Sequence, residues 1–172
     1  INLKKGTKDG QVHTTYSTSV TFNKAKKELD IMNAEEYRAY RTVSNPLSDM
    51  GADSDWFDAV TQLGVTHMHT LTCSGGNART NYRVTADYRN ARGIDLRSDR
   101  REYGARANIN HTTKDGLFTF SANITPRVID RNKSANVYSN AIKNNPTMPI
   151  YDSESANGYY RFPSGTEGSN IV

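Results

Sequence analysis

The sequence predicts an all-β fold, an antiparallel up-and-down meander of about five long strands whose long loops carry one or two short helices. Two observations predict it. Apolar and polar residues alternate with a period of two in five separate runs of nine to twelve residues. Leu, Ile, Val and Phe supply only 30 of the 172 residues, whereas Asn, Thr and Ser supply 49 and Tyr supplies 10. Thr and Tyr favour half-buried sheet surfaces, and so few aliphatic residues argue against a helical bundle or a parallel α/β sheet.

The first run, Gln11–Phe22, alternates almost without error. Val12, Tyr16 and Val20 fall on one face, while the opposite face is polar throughout. Twelve residues exceed the usual five or six of a strand in a water-soluble sheet. The length is close to what a tilted strand needs to span a membrane.

Four more runs repeat this alternation, at residues 65–74, 81–89, 101–111 and 117–125. In the clearest of them Tyr82, Val84 and Tyr88 face away from the polar positions between them. Pro126 follows the last run and lacks a backbone donor, so we expect the fifth strand to end there.

The connections between the runs alternate in length. Ser74-Gly75-Gly76-Asn77 and Lys114-Asp115-Gly116 are typical of tight turns, whereas the links at residues 23–64 and 90–100 are long. Short turns at one end and long loops at the other are typical of bacterial outer-membrane barrels. Everything after Pro126 is expected to be another long loop.

Two short helices are expected within the first long link. Asn33 followed by Glu36 predicts a capped helix over about residues 34–41. A second helix is expected over about residues 55–60, capped by Ser54 or Asp55.

Charge and cysteine content exclude several classes of protein. The 22 basic and 18 acidic residues leave a net charge of only +4, and the basic residues are scattered, so no nucleic-acid partner is predicted. A single cysteine, Cys73, excludes a disulfide within the chain and a cysteine-based zinc site. No stretch resembles a membrane helix or a signal peptide. Because the chain begins at Ile1 and not at a methionine, we expect either that processing removed its front or that it is part of a longer protein.

No catalytic, metal-binding or cofactor-binding residue is predicted. His67 and His69 share a strand face, but no third ligand for a metal can be identified. The acidic pairs at residues 35–36 and 55–58 could be compared with the carboxylates of glycosidases, but helix N-termini explain them more simply.

Several segments, in order, resemble the SusC/RagA-type TonB-dependent outer-membrane transporters. Residues 2–6 are similar to the exit from the plug domain, and residues 29–37 to a Leu-Asn-Ala-Glu-Glu-Tyr helix of that family. The other similar segments are Asp55-Trp56-Phe57-Asp58, the turn at 74–77, residues 80–94 and Asn145–Asp152. Cys73 and the charged loop at residues 92–101 depart from the family pattern.

The resemblance implies three regions: a plug-to-barrel connection at residues 1–10, the first barrel strands and loops at 11–125, and a long extracellular loop at 126–172. It implies a non-enzymatic importer of large nutrients, glycans or peptides, in the outer membrane of a Gram-negative bacterium. The implied partners are a SusD-like surface lipoprotein that acts as a lid, TonB through the plug, and membrane lipid.

The resemblance also suggests which side chains meet which surroundings. Residues expected to face lipid are Val12, Tyr16, Val20, Tyr82, Val84, Tyr88, Ile109, Phe118 and Phe120. The plugged interior would meet His13, Ser17, Arg83, Asp87, Arg106 and Asn108. Aromatic residues in the loops, expected to touch ligand or lid unless they pack the loop core, are Trp56, Phe57, Tyr151, Tyr159 and Tyr160.

The alternative is a soluble all-β module that binds carbohydrate or another ligand. Such a module would need two layers of strands around a shared apolar core. The low aliphatic content argues against it.

Overall fold

The computed structural model describes residues 6–26, 29–41, 43–133 and 137–161. The predictions for residues 2–5 and 162–172 lie outside the described residues. The strands are β1 (His13–Asn23), β2 (Gly64–Gly76), β3 (Thr80–Arg92), β4 (Asp99–Thr112), β5 (Thr119–Ile124) and β6 (Arg127–Asn132). The helices are α1 (Ala34–Arg41), α2 (Trp56–Ala59), α3 (Val137–Lys143) and a 3₁₀ turn at Pro46–Ser48. No helix in these ranges is long and apolar enough to cross a bilayer.

The strands form one sheet in the order β1-β2-β3-β4-β5, and β6 also pairs with β4. The pairs from β2 onward are antiparallel, and Tyr88 of β3 lies opposite both His69 of β2 and Tyr103 of β4. The predicted antiparallel meander of long strands is therefore confirmed.

The predicted end of the fifth strand at Pro126 is confirmed, since β5 ends at Ile124, but pairing with β4 resumes in β6 at Arg127. Ile124 of β5 lies opposite Ala107, and Arg127 of β6 lies opposite Gly104, so both strands pair with β4 in one register. Pro126 cannot donate, but its carbonyl accepts a hydrogen bond from the Ala105 amide at 3.1 Å. One missing donor interrupts the ladder without ending it. Residues 126–172, predicted as a loop, therefore include β6 and also helix α3.

The two tight turns form where the glycine-rich sequences predicted them. In the β2–β3 turn the Asn77 side chain accepts hydrogen bonds from the amides of Arg79 and Thr80, at 3.0 and 2.9 Å. In the β4–β5 turn the Gly116 amide donates to the Thr113 carbonyl at 3.0 Å. The turns lie at one end of the sheet and the long connections leave from the other.

The long connections form a compact unit of their own, built from Asn23–Gly64, Gly93–Ser98 and the segment after Asn132. Its buried apolar cluster consists of Trp56, Val60, Val137, Ala141 and Met148. Helix α3 supplies two of these residues, Val137 and Ala141. The segment after Asn132 therefore contributes to the core of the loop unit, although its sequence shows no strand periodicity.

Backbone hydrogen bonds join the two main segments of the loop unit. The Ala52 amide donates to the Thr147 carbonyl and the Ser54 amide to the Pro146 carbonyl, each at 2.8 Å. The fully buried Thr147 hydroxyl also accepts from the Met50 amide at 3.1 Å. The segment around Pro146 is thus bound along residues 50–54.

The predicted helix caps of the loop unit are confirmed. The Glu36 amide donates to the Asn33 side chain, and the Asn33 amide donates to the Glu36 carboxylate, both at 2.9 Å. This is the reciprocal capping box. Asp55 caps α2 by accepting from the amides of Phe57 and Asp58.

Candidate functional site

The sheet is inverted relative to a sheet in a water-soluble protein, because its apolar face is the exposed one. Val12 and Phe120 on this face are 68% and 64% exposed. On the polar face Glu102 and Asn108 are only 3% and 4% exposed. A long apolar sheet face that is open in this way indicates contact with an apolar medium or a partner.

Seven of the nine residues predicted to face lipid lie in strands on this apolar face, and Val12 and Phe118 directly precede β1 and β5. The register pairs Val84 with Cys73 and Ala107, and Tyr82 with Ile109. The β1 residues join them because the Tyr16 ring stacks on His69, with centroids 6.1 Å apart. The nine residues are Val12, Tyr16, Val20, Tyr82, Val84, Tyr88, Ile109, Phe118 and Phe120. Their contact with lipid stays a prediction.

A row of rings crosses four neighbouring strands on the apolar face. After the Tyr16–His69 pair, the His69–Tyr88 and Tyr88–Tyr103 centroids lie 6.2 and 5.1 Å apart. The Nδ1 atom of His69 lies 2.7 Å from the Tyr16 hydroxyl and 3.2 Å from that of Thr18. His69 is thus held among aromatic and hydroxyl groups, and no cluster of three potential metal ligands occurs among the described residues.

The ring row marks a change in the chemistry of the apolar face. On the turn side of the row the face carries residues such as Leu71, Val84 and Ile109. On the loop side β4 and β6 carry charges, with Arg101 opposite Asp130, whereas β1 still carries Val20 and Phe22. Aromatic rings with polar tips favour such a boundary between an apolar and an aqueous zone.

The polar face carries a charged group that we call the Glu102 cluster, formed by Glu102, Asp87, Arg89, Arg100 and Arg127. Glu102 carboxylate oxygens lie 2.7 Å from Arg100 Nε, 3.1 Å from Arg127 Nη1 and 3.4 Å from Arg89 Nη1. Arg127 Nη2 also lies 3.5 Å from Asp87 Oδ2. Three guanidinium groups therefore converge on one buried carboxylate.

Gly104 leaves room for the Asp87 carboxylate of the Glu102 cluster. It lies directly opposite Asp87, and a Cβ atom at Gly104 would stand 2.5 Å from the Asp87 carboxylate. Sequence patterning assigned Asp87 to this face but missed the cluster, because the register that aligns Arg89 with Glu102 and Gly104 with Arg127 is not visible in period-two alternation.

The predicted loop aromatics divide into buried and surface residues. Trp56 is 3% exposed, and its Nε1 atom donates to the Asn145 carbonyl at 3.0 Å. Tyr160 packs against the same apolar cluster. Both therefore support the loop core, which is the alternative role that the sequence left open.

The remaining three predicted aromatics lie outside this cluster. Phe57 packs against Tyr138, with ring centroids 6.0 Å apart. Tyr151 is 66% exposed and lies 5.6 Å from the Tyr159 ring, and an isolated β-bridge joins the two residues. The Tyr151–Tyr159 pair is the better placed of the predicted aromatics to meet a ligand or partner.

Sequence reasoning also missed an open cleft in the loop unit, because α3 was not predicted. The cleft has a volume of about 710 Å³. Its lining includes Met32, Tyr37, Leu47, Ile142 and Pro146.

Hydrogen bonds and burial shift the pKa values of three groups outside the strands. The Gly51 amide, and then the Arg38 side chain, hold the pKa of Asp49 below its ordinary value. In the β4–β5 turn, the Thr113 hydroxyl, followed by the Leu117 amide, does the same for the pKa of Asp115. Burial, with the nearby Asp95 carboxylate, raises the pKa of Tyr138. The hydrogen bonds to Asp49 and Asp115 thus favour their ionised carboxylates.

Comparison of the sequence with known proteins finds relatives of one kind, although no family model matches the chain. The chain is 30% identical over 184 aligned positions to the TonB-dependent receptor SusC of Bacteroides thetaiotaomicron, an alignment covering 98% of this chain and 18% of SusC. It is also 30% identical over 121 positions to the TonB-dependent receptor P26 of Formosa agariphila, covering 70% of this chain and 12% of P26. The chain thus spans less than a fifth of the length of these relatives.

Comparison of the fold also finds solved structures similar to this chain. The structure of the RagAB peptide importer in the open-open state matches 77% of this chain and 19% of the RagAB chain, with a TM-score of 0.65 and 17% identity. A second structure, of the RagAB peptide transporter, matches the same shares with a TM-score of 0.61 and 18% identity. At this identity the likeness concerns the fold, an open antiparallel sheet corresponding to part of a barrel.

Proposed function

This chain is a relative of the SusC/RagA-type TonB-dependent receptors and corresponds to a part of such a protein; on that premise we propose that it forms part of the wall of an outer-membrane barrel that imports large nutrients. The inverted sheet is the observation that carries the proposal. Strands β2 and β3 have 13 residues each, enough to cross a bilayer at a tilt. The apolar face would meet lipid, and the polar face would line the interior.

The two ends of the sheet fit this orientation. Transmembrane barrels have short turns on the periplasmic side and long loops outside the cell. In this proposal the turns at Gly76 and Gly116 lie in the periplasm, and the long connections leave the strands at the opposite, extracellular end. The ring row of Tyr16, His69 and Tyr88 then lies near the outer boundary of the membrane.

The proposed partners follow from the relatives. RagAB is described as a peptide importer, and a glycan or a peptide is the class of substrate that we propose here. A SusD-like lipoprotein would cover the loop side, where Tyr151 offers an exposed ring. Coupling to TonB would act on a part of the receptor outside this chain.

The soluble alternative has less support. It needs a second layer over the apolar face, yet the buried apolar cluster of the described residues consists of loop residues such as Trp56 and Val137. Val20, Leu71 and Val84 on the sheet remain 43–49% exposed.

Cell fractionation tests the proposal. An antibody raised against residues 43–133 is applied to membrane and soluble fractions of the source cells, with samples boiled and unboiled in detergent. We expect an outer-membrane band several times larger than 19.2 kDa whose mobility changes on boiling, because intact barrels resist detergent. A soluble band near 19.2 kDa would instead favour the binding module.

A further inference from the structure

We propose that the Glu102 cluster, together with Arg131, is an anion-binding site for a carboxylate group of the imported molecule. The inference rests on the proposed function and deepens it, because it assigns the chemical class of the substrate. It depends on four observations: the burial of Glu102, the excess of donors, the position of Arg131, and the place of the cluster along the strands.

The burial pattern separates an inner carboxylate from outer guanidinium groups. The Glu102 side chain is 4% exposed, whereas those of Arg89, Arg100 and Arg127 are 43–45% exposed. Hydrogen bonds to the buried carboxylate hold Arg89 and Arg127, and Arg100 lies in ion-pair contact with it. The outer edges of the three arginines remain accessible within this chain. Such fixed guanidinium forks lose less freedom when they bind an anion.

The cluster has more donors than acceptors. Three guanidinium groups carry about fifteen N–H donors, whereas the carboxylates of Glu102 and Asp87 offer only about eight lone-pair sites. Several donors therefore remain for water or a ligand. Three positive charges against two negative ones also leave the cluster positive before Arg131 is added.

Arg131 adds a like charge where a sheet would otherwise avoid one. It lies directly opposite Arg100 in the β4–β6 register. Like charges directly opposite each other on one sheet face are destabilising. Within the described ranges no carboxylate lies within ion-pair distance of Arg131. An anion bound by both Arg100 and Arg131 would offset the repulsion between their charges. Arginine is suited to this because it binds carboxylates through two parallel hydrogen bonds.

The cluster lies near the strand ends from which the long connections leave. Arg89 lies three residues before the end of β3, Arg100 is the second residue of β4, and Arg131 is the penultimate residue of β6. On the polar face of a barrel wall, these positions border the entrance of the interior on the loop side. A molecule entering from that side would meet the cluster before the deeper wall.

Binding to the complete purified receptor in detergent tests the inference. Tetragalacturonate and hexaglutamate serve as carboxylate probes, and maltotetraose and hexaglutamine are their neutral counterparts. We expect at least one acidic probe to bind about tenfold or more tightly than its neutral counterpart, with a difference that decreases in high salt. The probe that binds distinguishes a glycan from a peptide source of the carboxylate.

Arg131→Gln and Arg89→Gln are the test variants. Each should reduce the preference for the acidic probe about threefold to tenfold and leave the affinity for the neutral probe unchanged. Arg106→Gln is the matched control, because Arg106 lies on the same face of β4 toward the turn and has no carboxylate partner in the described part of the chain. Arg131 likewise forms no ion pair with any residue that the structure describes, so its replacement should disturb folding little.

Three results would overturn the inference. The first is equal affinity of the wild-type receptor for acidic and neutral probes, or no binding of the acidic probes. The second is an equal effect of Arg106→Gln and Arg131→Gln, which would indicate general charge and not a site. The third is a parallel loss of acidic and neutral binding in the variants. A heat-shifting band of the same purified receptor would leave the proposed barrel wall standing in each case, whereas its absence would contradict that wall itself.

Discussion

Gly76 is the residue at which backbone geometry restricts the side chain most strictly. Its φ of +147° lies outside the range that other residues favour, and a Cβ atom there would stand 2.3 Å from the Thr80 carbonyl oxygen. We expect Gly76→Ala to lower the free energy of unfolding by about 1–3 kcal/mol, since both the dihedral and the backbone contact must change. Urea titration of the receptor in lipid vesicles, followed by the heat-shifted band, measures the change.

Gly116→Ala is the control for Gly76→Ala. Gly116 also has a positive φ, of +73°, but a Cβ atom there would meet nothing within 4 Å. Only the left-handed backbone should then contribute, with a cost of about 1 kcal/mol. A larger loss for Gly116→Ala than for Gly76→Ala would contradict the importance of the Thr80 contact.

Asp115 provides a test of the hydrogen bonds in the β4–β5 turn. Its pKa is lowered below 3.8, first by the Thr113 hydroxyl and then by the Leu117 amide. The ionised carboxylate therefore stabilises the turn above the ordinary pKa, and this contribution is lost as the pH falls through the lowered value. We expect Thr113→Val to raise the pKa of Asp115 toward 3.8, as measured by the carboxyl ¹³C shift during an acid titration. An unchanged midpoint would mean that the Thr113 hydroxyl is not the main cause.

At the scale of secondary-structure elements, helix α2 holds the loop unit together through Trp56. We expect Trp56→Ala to lower the free energy of local opening by about 3–5 kcal/mol, because it leaves a large cavity among Val60, Val137 and Met148. Limited proteolysis of the folded receptor should then cut residues 43–64 about a hundredfold faster or more, provided that opening and closing are fast.

Tyr151→Ala is the matched aromatic control for Trp56→Ala. Tyr151 is 66% exposed and touches mainly Tyr159. Its replacement should change the cleavage rate less than about fivefold, corresponding to under 1 kcal/mol. Equal effects of the two variants would contradict a core role for Trp56.

Sequence predicted the elements with local signals and missed those that depend on distant partners. Period-two alternation identified β1 to β5, and Asn33 with Glu36 identified α1, because strand faces and helix caps involve neighbouring residues. The continuation past Pro126 depends on β4, which keeps β6 in register after one lost hydrogen bond. Helix α3 depends on its packing with Trp56 and Val60, and a seven-residue helix has little stability of its own.

Prediction of the candidate site from the sequence has the same limit. Alternation assigned Arg83, Asp87, Arg106 and Asn108 to the polar face, since face follows from parity. The convergence of three arginines on Glu102 required the exact register across β3, β4 and β6. A register shift of one residue would have moved every one of these side chains to the other face.

For the whole molecule, the inverted sheet makes a prediction that separates a membrane wall from a soluble sheet. Val84 lies on the apolar face between the ring row and the turns. We expect Val84→Lys to lower the free energy of folding into lipid vesicles by about 2–4 kcal/mol, the cost of a lysine at the bilayer midplane. Urea titration in vesicles measures the change.

Two controls decide whether the cost comes from the depth in the membrane. Asn90 lies on the same face of β3 but beyond the ring row, opposite Arg101, where the face already carries charge; Asn90→Lys should cost about 0–1 kcal/mol. Thr70 lies on the polar face opposite Asp87. Thr70→Lys would gain a carboxylate neighbour there, so its cost in folding free energy should be smaller than that of Val84→Lys. Similar costs for Val84→Lys and Asn90→Lys would mean that the ring row does not bound an apolar zone. A low cost for Val84→Lys would contradict the membrane wall, because an exposed valine in water tolerates replacement by lysine.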